Sequence, residues 1–434
     1  MVLGPNSQAA ASFLYSDFVQ GQKFAKIDSF RLESGVLLED VTVAYKTWGI
    51  LNEDADNCMV ICHALSGSSD ISDWWGPLLG PGRAFDTSRY FVFCANVLGS
   101  PYGSTSSLSF NPNTGRPYGP DFPQTTIRDD VCIHKLVLDT LGVKSVASVI
   151  GGSMGGMATL EWPLCTPKGY VKNIIPIATS ADHSSWGIAW AEAQRQCIFA
   201  DPTFQNGHYV PTPDSQPVAG LAAARMVAML TYRSSSSFDT RFGRKSASSK
   251  NKIPAQRSLL ATPPPEANLD SPDEINTVQV LEPPQFSTQS YLRYQGDKFI
   301  RRFDANCYIH LTHKMDSHDV TRGRIELEAG DRLALALSTL PLKTLVIGVV
   351  SDVLFTPEQQ RSLADALPAA RLVMLNSLEG HDGFLLAFDI LNSIITGHLM
   401  DVCSWIYKAP PSDCRQSSVE VKESIFGEVE GQWE

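Results

Sequence analysis

Apolar runs and helical stretches alternate along the first 180 or so residues. Near-continuous apolar runs at 41–45, 59–63, 90–96, 146–150 and 173–178 predict strands buried on both faces. Between the third and fourth runs the spacing changes to that of a helix. Thr126 offers an N-cap, Asp129 and Asp130 fall in the first turn, Val131, Val137 and Leu138 recur at helical spacing, and Gly142 stops the run. Buried strands alternating with helices predict an α/β fold: a mostly parallel sheet with helices on both faces. From about residue 186 helical patterns dominate, at 188–197, 221–230, 290–303 and 305–314, and strand signals return at 344–350 and 371–375. The chain therefore reads as a core at 28–185, an inserted helical lid domain at 186–334, a resumed core at 335–410 and a polar tail at 411–434. Residues 234–284 hold four consecutive serines from Ser234 and three consecutive prolines from Pro263. Such a segment buries too little apolar surface to offset its ordering entropy, so a loose loop is expected, centred on about 244–284.

Composition narrows the function classes. The 434 residues suffice for a large core. Lys and Arg total 35 against 46 Asp and Glu, a net charge of −11, and no basic stripe stands out, which argues against a nucleic-acid partner. No apolar run of membrane-spanning length occurs, and the N-terminus lacks a basic start followed by an apolar block. Nine widely spread cysteines without a Cys-x-x-Cys pair read as reduced thiols of a cytoplasmic protein rather than as disulfides or a structural zinc site.

The sharpest chemical signal is Gly151-Gly152-Ser153-Met154-Gly155-Gly156, directly after the run 146–150 and before a helical stretch. Gly-x-Ser-x-Gly between strand and helix describes a nucleophile elbow: a strained turn presents the serine oxygen at a helix N-terminus, where amides favour developing negative charge. A dinucleotide loop would need glycine where Ser153 stands. A serine hydroxyl needs a base, and in this class of fold the order is Ser, acid, His. Asp352 follows the strand at 344–350, and His381 lies in a loop past the strand at 371–375, so both fall where ligands gather at the carboxyl edge of a parallel sheet. Ser153, Asp352 and His381 form the candidate catalytic set. The backbone N–H groups of Met154 and of Leu65, after the run 59–63, are the candidate oxyanion hole. His63 reads as structural and His398 as a surface residue. His310 and His313, with Asp316, His318 and Asp319, lack a third ligand at diagnostic spacing, so no metal is expected.

These residues sit within longer blocks, including Ala44-Tyr45-Lys46-Thr47-Trp48-Gly49, Cys62-His63-Ala64-Leu65-Ser66-Gly67, Asp73-Trp74-Trp75-Gly76-Pro77, Leu230-Thr231-Tyr232-Arg233 and Arg302-Phe303-Asp304-Ala305-Asn306-Cys307-Tyr308. Over nearly the whole chain the sequence resembles the α/β-hydrolase-type homoserine O-acetyltransferases, most closely the fungal members, down to Ser424-Ile425-Phe426-Gly427-Glu428. The resemblance implies an α/β-hydrolase core and acetyl transfer from acetyl-CoA, a co-substrate rather than a bound cofactor, to L-homoserine in methionine synthesis. It implies that Ser153 takes the acetyl group, that Arg225 holds the substrate carboxylate and that Asp382 holds its amino group. It also implies a homodimer formed through the lid helices. The residues alone leave open serine as acceptor, succinyl-CoA as donor, an esterase, and a binding protein on a hydrolase fold.

Overall fold

The computed structural model describes residues 15–246, 285–326, 330–341 and 343–412. The expected loop beyond Ser246 and the tail beyond Ser412 lie outside the described residues. An eight-stranded sheet organises the core, in the order β1-β2-β4-β3-β7-β8-β9-β10, beside a two-stranded hairpin of β5 (Phe110–Asn111) and β6 (Arg116–Pro117). The inner strands β3 (Cys58–Cys62), β7 (Val146–Gly152), β8 (Ile174–Ile177) and β9 (Leu345–Val349) are buried at every position, and β4 (Phe91–Ala95) at all but its first. This is what continuous apolar runs produce when helices cover both faces. β10 (Arg371–Leu375) closes the parallel side.

The other edge differs from the expectation. β1 (Lys23–Arg31) starts before the expected core boundary at 28 and pairs antiparallel with β2 (Leu37–Trp48), which itself runs antiparallel to β4. β1 is largely exposed and carries polar residues throughout, so it lacks the apolar run that marks an inner strand.

Helices α1 (Ile127–Thr140) and α2 (Met154–Cys165) flank β7 in the chain. The Thr126 hydroxyl accepts from the Asp129 amide while the Asp129 carboxylate accepts from the Thr126 amide, a capping box that fixes the start of α1. Between β8 and β9 the chain forms the lid: α3 (Ser185–Phe199), α4 (Val218–Tyr232), α5 (Ser235–Arg241), α6 (Ser287–Ile300) and α7 (Ala305–Asp316). α5 corrects the expectation that residues from 234 onward are loose, because the first serine of that run is an N-cap: Ser234 Oγ accepts from the Ser237 amide. Helix α8 (Arg332–Leu337) crosses the expected lid boundary at 334. Among the described residues no single helix is long and apolar enough to cross a membrane.

Because β3, β7, β8, β9 and β10 are parallel, their carboxyl ends share one edge of the sheet. The segments that carry Leu65, Ser153, Asp352 and His381 leave from that edge.

Candidate active site

Ser153 sits between β7 and α2 at φ 58° and ψ −125°, a conformation an L-residue adopts only under constraint. The constraint is visible on both sides. The Ser153 amide donates to the Ile177 carbonyl at 3.0 Å, and its own carbonyl accepts from Gly156, Met157 and the Thr179 hydroxyl. Close packing demands the glycines: a Cβ on Gly155 would lie 2.1 Å from the Cys62 carbonyl oxygen, and one on Gly151 2.3 Å from the Gly155 oxygen. The Ser153 side chain makes no capping bond to α2. It lines a pocket of about 540 Å³ together with Leu65, Arg225, Tyr232, His381 and Asp382.

Met154 opens α2, so its amide is one of the N-terminal donors that the helix itself cannot satisfy. Leu65 lies in the loop after β3. Neither amide donates to a backbone carbonyl among the described residues. The loop is held from the lid side, where Arg302 Nη1 donates to the Ser66 carbonyl at 3.0 Å and to the Tyr102 hydroxyl at 2.9 Å. His63 supports it from within. Burial pushes its pKa down to about 4, so the ring is neutral; Nε2 accepts from the Val97 amide, which leaves Nδ1–H to donate to the Ala64 carbonyl at 2.8 Å.

Asp352 follows β9 and is wholly enclosed. Its Oδ1 accepts from the amides of Leu354 and Phe355, both at 2.9 Å, and its Oδ2 from Gln360 Nε2 at 3.3 Å and His381 Nδ1 at 2.7 Å. With Nδ1 donating to the carboxylate, Nε2 of the neutral ring carries the lone pair. That atom has no hydrogen-bond partner among the described residues, and the ring borders the same pocket as Ser153. The rings of Phe355 and Phe384, each 5.2 Å from that of His381, hold its plane. Burial alone would lower the His381 pKa, but the Asp352 carboxylate, and then Asp382, outweigh it, so the pKa stands above the ordinary histidine value.

A serine at an elbow and a carboxylate-held imidazole beside one pocket, with the Leu65 loop along its wall, are the parts of acyl-transfer chemistry. The family model for the α/β hydrolase fold matches residues 57–387. The homoserine O-acetyltransferase of Saccharomyces cerevisiae is 46% identical over 95% of this chain and 93% of its own. That of Emericella nidulans is 47% identical over 96% and 94%. The chain belongs to the homoserine O-acetyltransferase family. Among solved structures, esterase E22 superposes with a TM-score of 0.71 at 26% identity, covering 87% of this chain and 99% of that one.

In this member of the homoserine O-acetyltransferase family, the pocket also carries two opposite charges. Arg225, on α4, is 2% exposed; its guanidinium lies 5.3 Å from the Tyr232 ring centre and 5.0 Å from that of Phe299. Asp382 follows His381, and its Oδ2 is 3.0 Å from Arg233 Nε. The sequence assigns no role to Arg233, Tyr232, Phe384 or Gln360, although the first two fall within the block Leu230-Thr231-Tyr232-Arg233. Arg233 follows an apolar helix and reads there as a helix-end cation, with nothing to link it to a carboxylate 149 positions on. His398 is a correction: it is buried, and its Nε2 lies 3.0 Å from Asn173 Oδ1, because α9 (Phe388–Val402) packs its face onto the sheet. His310 is buried with Nε2 2.8 Å from the Thr125 hydroxyl, while His313 is half-exposed; no group of three metal-ligating side chains gathers among the described residues.

Proposed function

We propose that the chain transfers an acetyl group from acetyl-CoA to the side-chain hydroxyl of L-homoserine, by a two-step mechanism through an acetyl-Ser153 intermediate, in methionine synthesis. Family membership supports acetylation of homoserine, since the relatives from Saccharomyces cerevisiae and Emericella nidulans bear that activity in their names. The observation that carries the rest is the pocket itself. One cavity is bordered by Ser153 and His381 Nε2 and, apart from them, by a guanidinium and a carboxylate. Homoserine is a zwitterion with a hydroxyl. Arg225 takes its carboxylate as a bidentate pair, Asp382 takes its ammonium, and the hydroxyl is left toward His381.

In the first half, His381 removes the Ser153 proton as the oxygen attacks the thioester; the tetrahedral oxyanion is held by the Leu65 and Met154 amides, and CoA leaves with the proton. In the second half, His381 takes the homoserine hydroxyl proton, that oxygen attacks the acetyl-serine, and Ser153 leaves protonated. Each oxyanion donor contributes about 3–4 kcal/mol. No tightly bound cofactor enters this scheme. The exposed Trp186, Ile188 and Phe199 on α3 support a homodimer through the lid helices. The eight cysteines among the described residues are all free, which supports a reducing cytoplasm.

The likeness to esterase E22 keeps hydrolysis as the second reading, with water as the acceptor. The test is mass spectrometry of the enzyme with acetyl-CoA alone, followed by steady-state assays crossing acetyl- and succinyl-CoA with homoserine and serine. The expected result is one acetyl group on the Ser153 peptide, discharged by homoserine. In Ser153→Ala that label disappears and turnover falls by roughly three or more orders of magnitude. Acetylation elsewhere, or acetyl-enzyme discharged equally well without homoserine, overturns the proposal.

A further inference from the structure

The lid grips the histidine loop at the end of α4 and just past it. Arg233 leaves that helix in an extended conformation and stands between two carboxylates. Its Nη1 is 2.5 Å from Glu379 Oε2, and its Nε is 3.0 Å from Asp382 Oδ2. The Ser237 hydroxyl donates to the same Glu379 oxygen at 2.6 Å, and the Ser234 hydroxyl donates to the Leu378 carbonyl. Between these contacts the two backbones meet closely. Gly380 has φ +69°, and a Cβ there would lie 2.6 Å from the Ser234 nitrogen. These contacts bear on Leu378, Glu379, Gly380 and Asp382, on both sides of His381.

The charges are matched in a specific way. The Arg233 side chain is 5% exposed and that of Asp382 3%, whereas that of Glu379 is 39% exposed. A buried carboxylate tends to take up a proton unless a cation faces it, and a buried guanidinium needs its charge answered. Arg233 meets both needs. Arg233 lies against both carboxylates, and the buried one, Asp382, is the one that borders the pocket.

Resting on the acceptor assignment made under the proposed function, we propose that Arg233 is a positioning residue: it holds Asp382 ionised and aimed into the pocket, and through Asp382 it sets the preference for an alcohol that carries an ammonium group over a neutral alcohol or water. Arg233 touches the carboxylate, and the carboxylate touches the acceptor. Selectivity of this kind is a difference between two affinities, so it is lost when the charge that one acceptor uses is lost.

The experiment is a double-mutant cycle with Arg233→Gln, Asp382→Asn and both, read on full-length enzyme in two assays. The first follows the burst of CoA release from acetyl-CoA without acceptor. The second gives kcat and KM for L-homoserine and for 1-propanol. Each single variant is expected to raise the homoserine KM about 10–100-fold, the loss of one charge-assisted contact, with a smaller change in kcat. The double variant should stay within about threefold of Asp382→Asn, because Arg233 acts through that residue. The advantage of homoserine over 1-propanol should shrink in parallel. Arg233→Lys keeps the charge but loses the two-sided fork, so it should recover part of the loss; it carries the same test if Arg233→Gln does not fold. A normal burst with KM losses that multiply in the double variant overturns the inference alone, leaving Arg233 as a loop-packing residue. Absence of a burst in the wild type overturns the two-step reading and the inference with it.

Discussion

At the scale of single residues, the chemistry turns on how one imidazole is held. In the proposed mechanism His381 serves as a base only when neutral, so the pKa of its conjugate acid places the rising limb of the pH profile. Burial lowers that pKa, while Asp352 and then Asp382 raise it by more, to a net value above 6.5. The expected kcat/KM therefore climbs with pH through a midpoint above 6.5. Asp352→Asn removes the largest raising contribution and leaves burial in place. The limb should move to lower pH while the rate falls by about 10³–10⁴-fold, since an amide no longer fixes the tautomer that leaves Nε2 as base. A limb that stays put, measured on kcat/KM from pH 5 to 9, would show that another group titrates. Much of this site is legible in the sequence, because Ser153, Asp352 and His381 each follow a strong apolar run, and ends of parallel strands share an edge. Arg233 and Gln360 were not, for the opposite reason. Their partners, Asp382 and Asp352, are reached only through the tertiary fold, and no local pattern marks a second residue that orients a first.

At the scale of elements, the elbow works only because β3, β7 and α2 approach more closely than side chains allow. The Gly155 Cα faces the Cys62 carbonyl, and the Cβ of even an alanine would stand 2.1 Å from that oxygen. Backbone atoms at both ends of the contact cannot swing aside. Gly155→Ala is expected to cost about 3 kcal/mol of stability, at the upper end for overpacking, and to displace Ser153 enough to lose activity. Urea denaturation checks the first and acetylation of Ser153 the second; a fully stable, active variant would mean that α2 can slide. The same physics decides which elements a sequence reveals. Inner strands bury both faces and read as runs such as Met59-Val60-Ile61, whereas β1 lies on the edge, with Lys23, Lys26, Asp28 and Arg31 along it, and carries no comparable signal. The serines from Ser234 have a low-complexity composition, yet a serine is also a good N-cap, and α5 follows from that second property. Composition reports an average, and a cap is a property of one position.

At the scale of the molecule, the question is whether lid and core are one cooperative unit. Lys314 lies on the lid helix α7 with its side chain wholly buried. Its ammonium is 2.5 Å from Asp130 Oδ2 on α1 of the core and donates to the Leu98 carbonyl at 2.8 Å, while Asp130 Oδ1 accepts from the Leu98 amide at 2.9 Å. A lid cation thus closes a ring that the core opens. Next to it, the His310 ring of the same helix fills the space where Gly99 has no side chain: a Cβ there would lie 2.2 Å from the ring. Neither half of this clasp can leave without exposing a charge in an apolar setting. The lid should therefore unfold together with the sheet, in one urea transition seen alike by far-UV circular dichroism and tryptophan fluorescence. Lys314→Met leaves the Asp130 carboxylate buried against an apolar chain and should cost about 3–5 kcal/mol. Adding Asp130→Leu removes the stranded charge as well, so the double variant should regain a substantial part of that loss although it has one more substitution. A second transition in the wild type, or a double variant less stable than Lys314→Met, would mean that lid and core are joined by shape alone and that the clasp contributes nothing to their cooperativity.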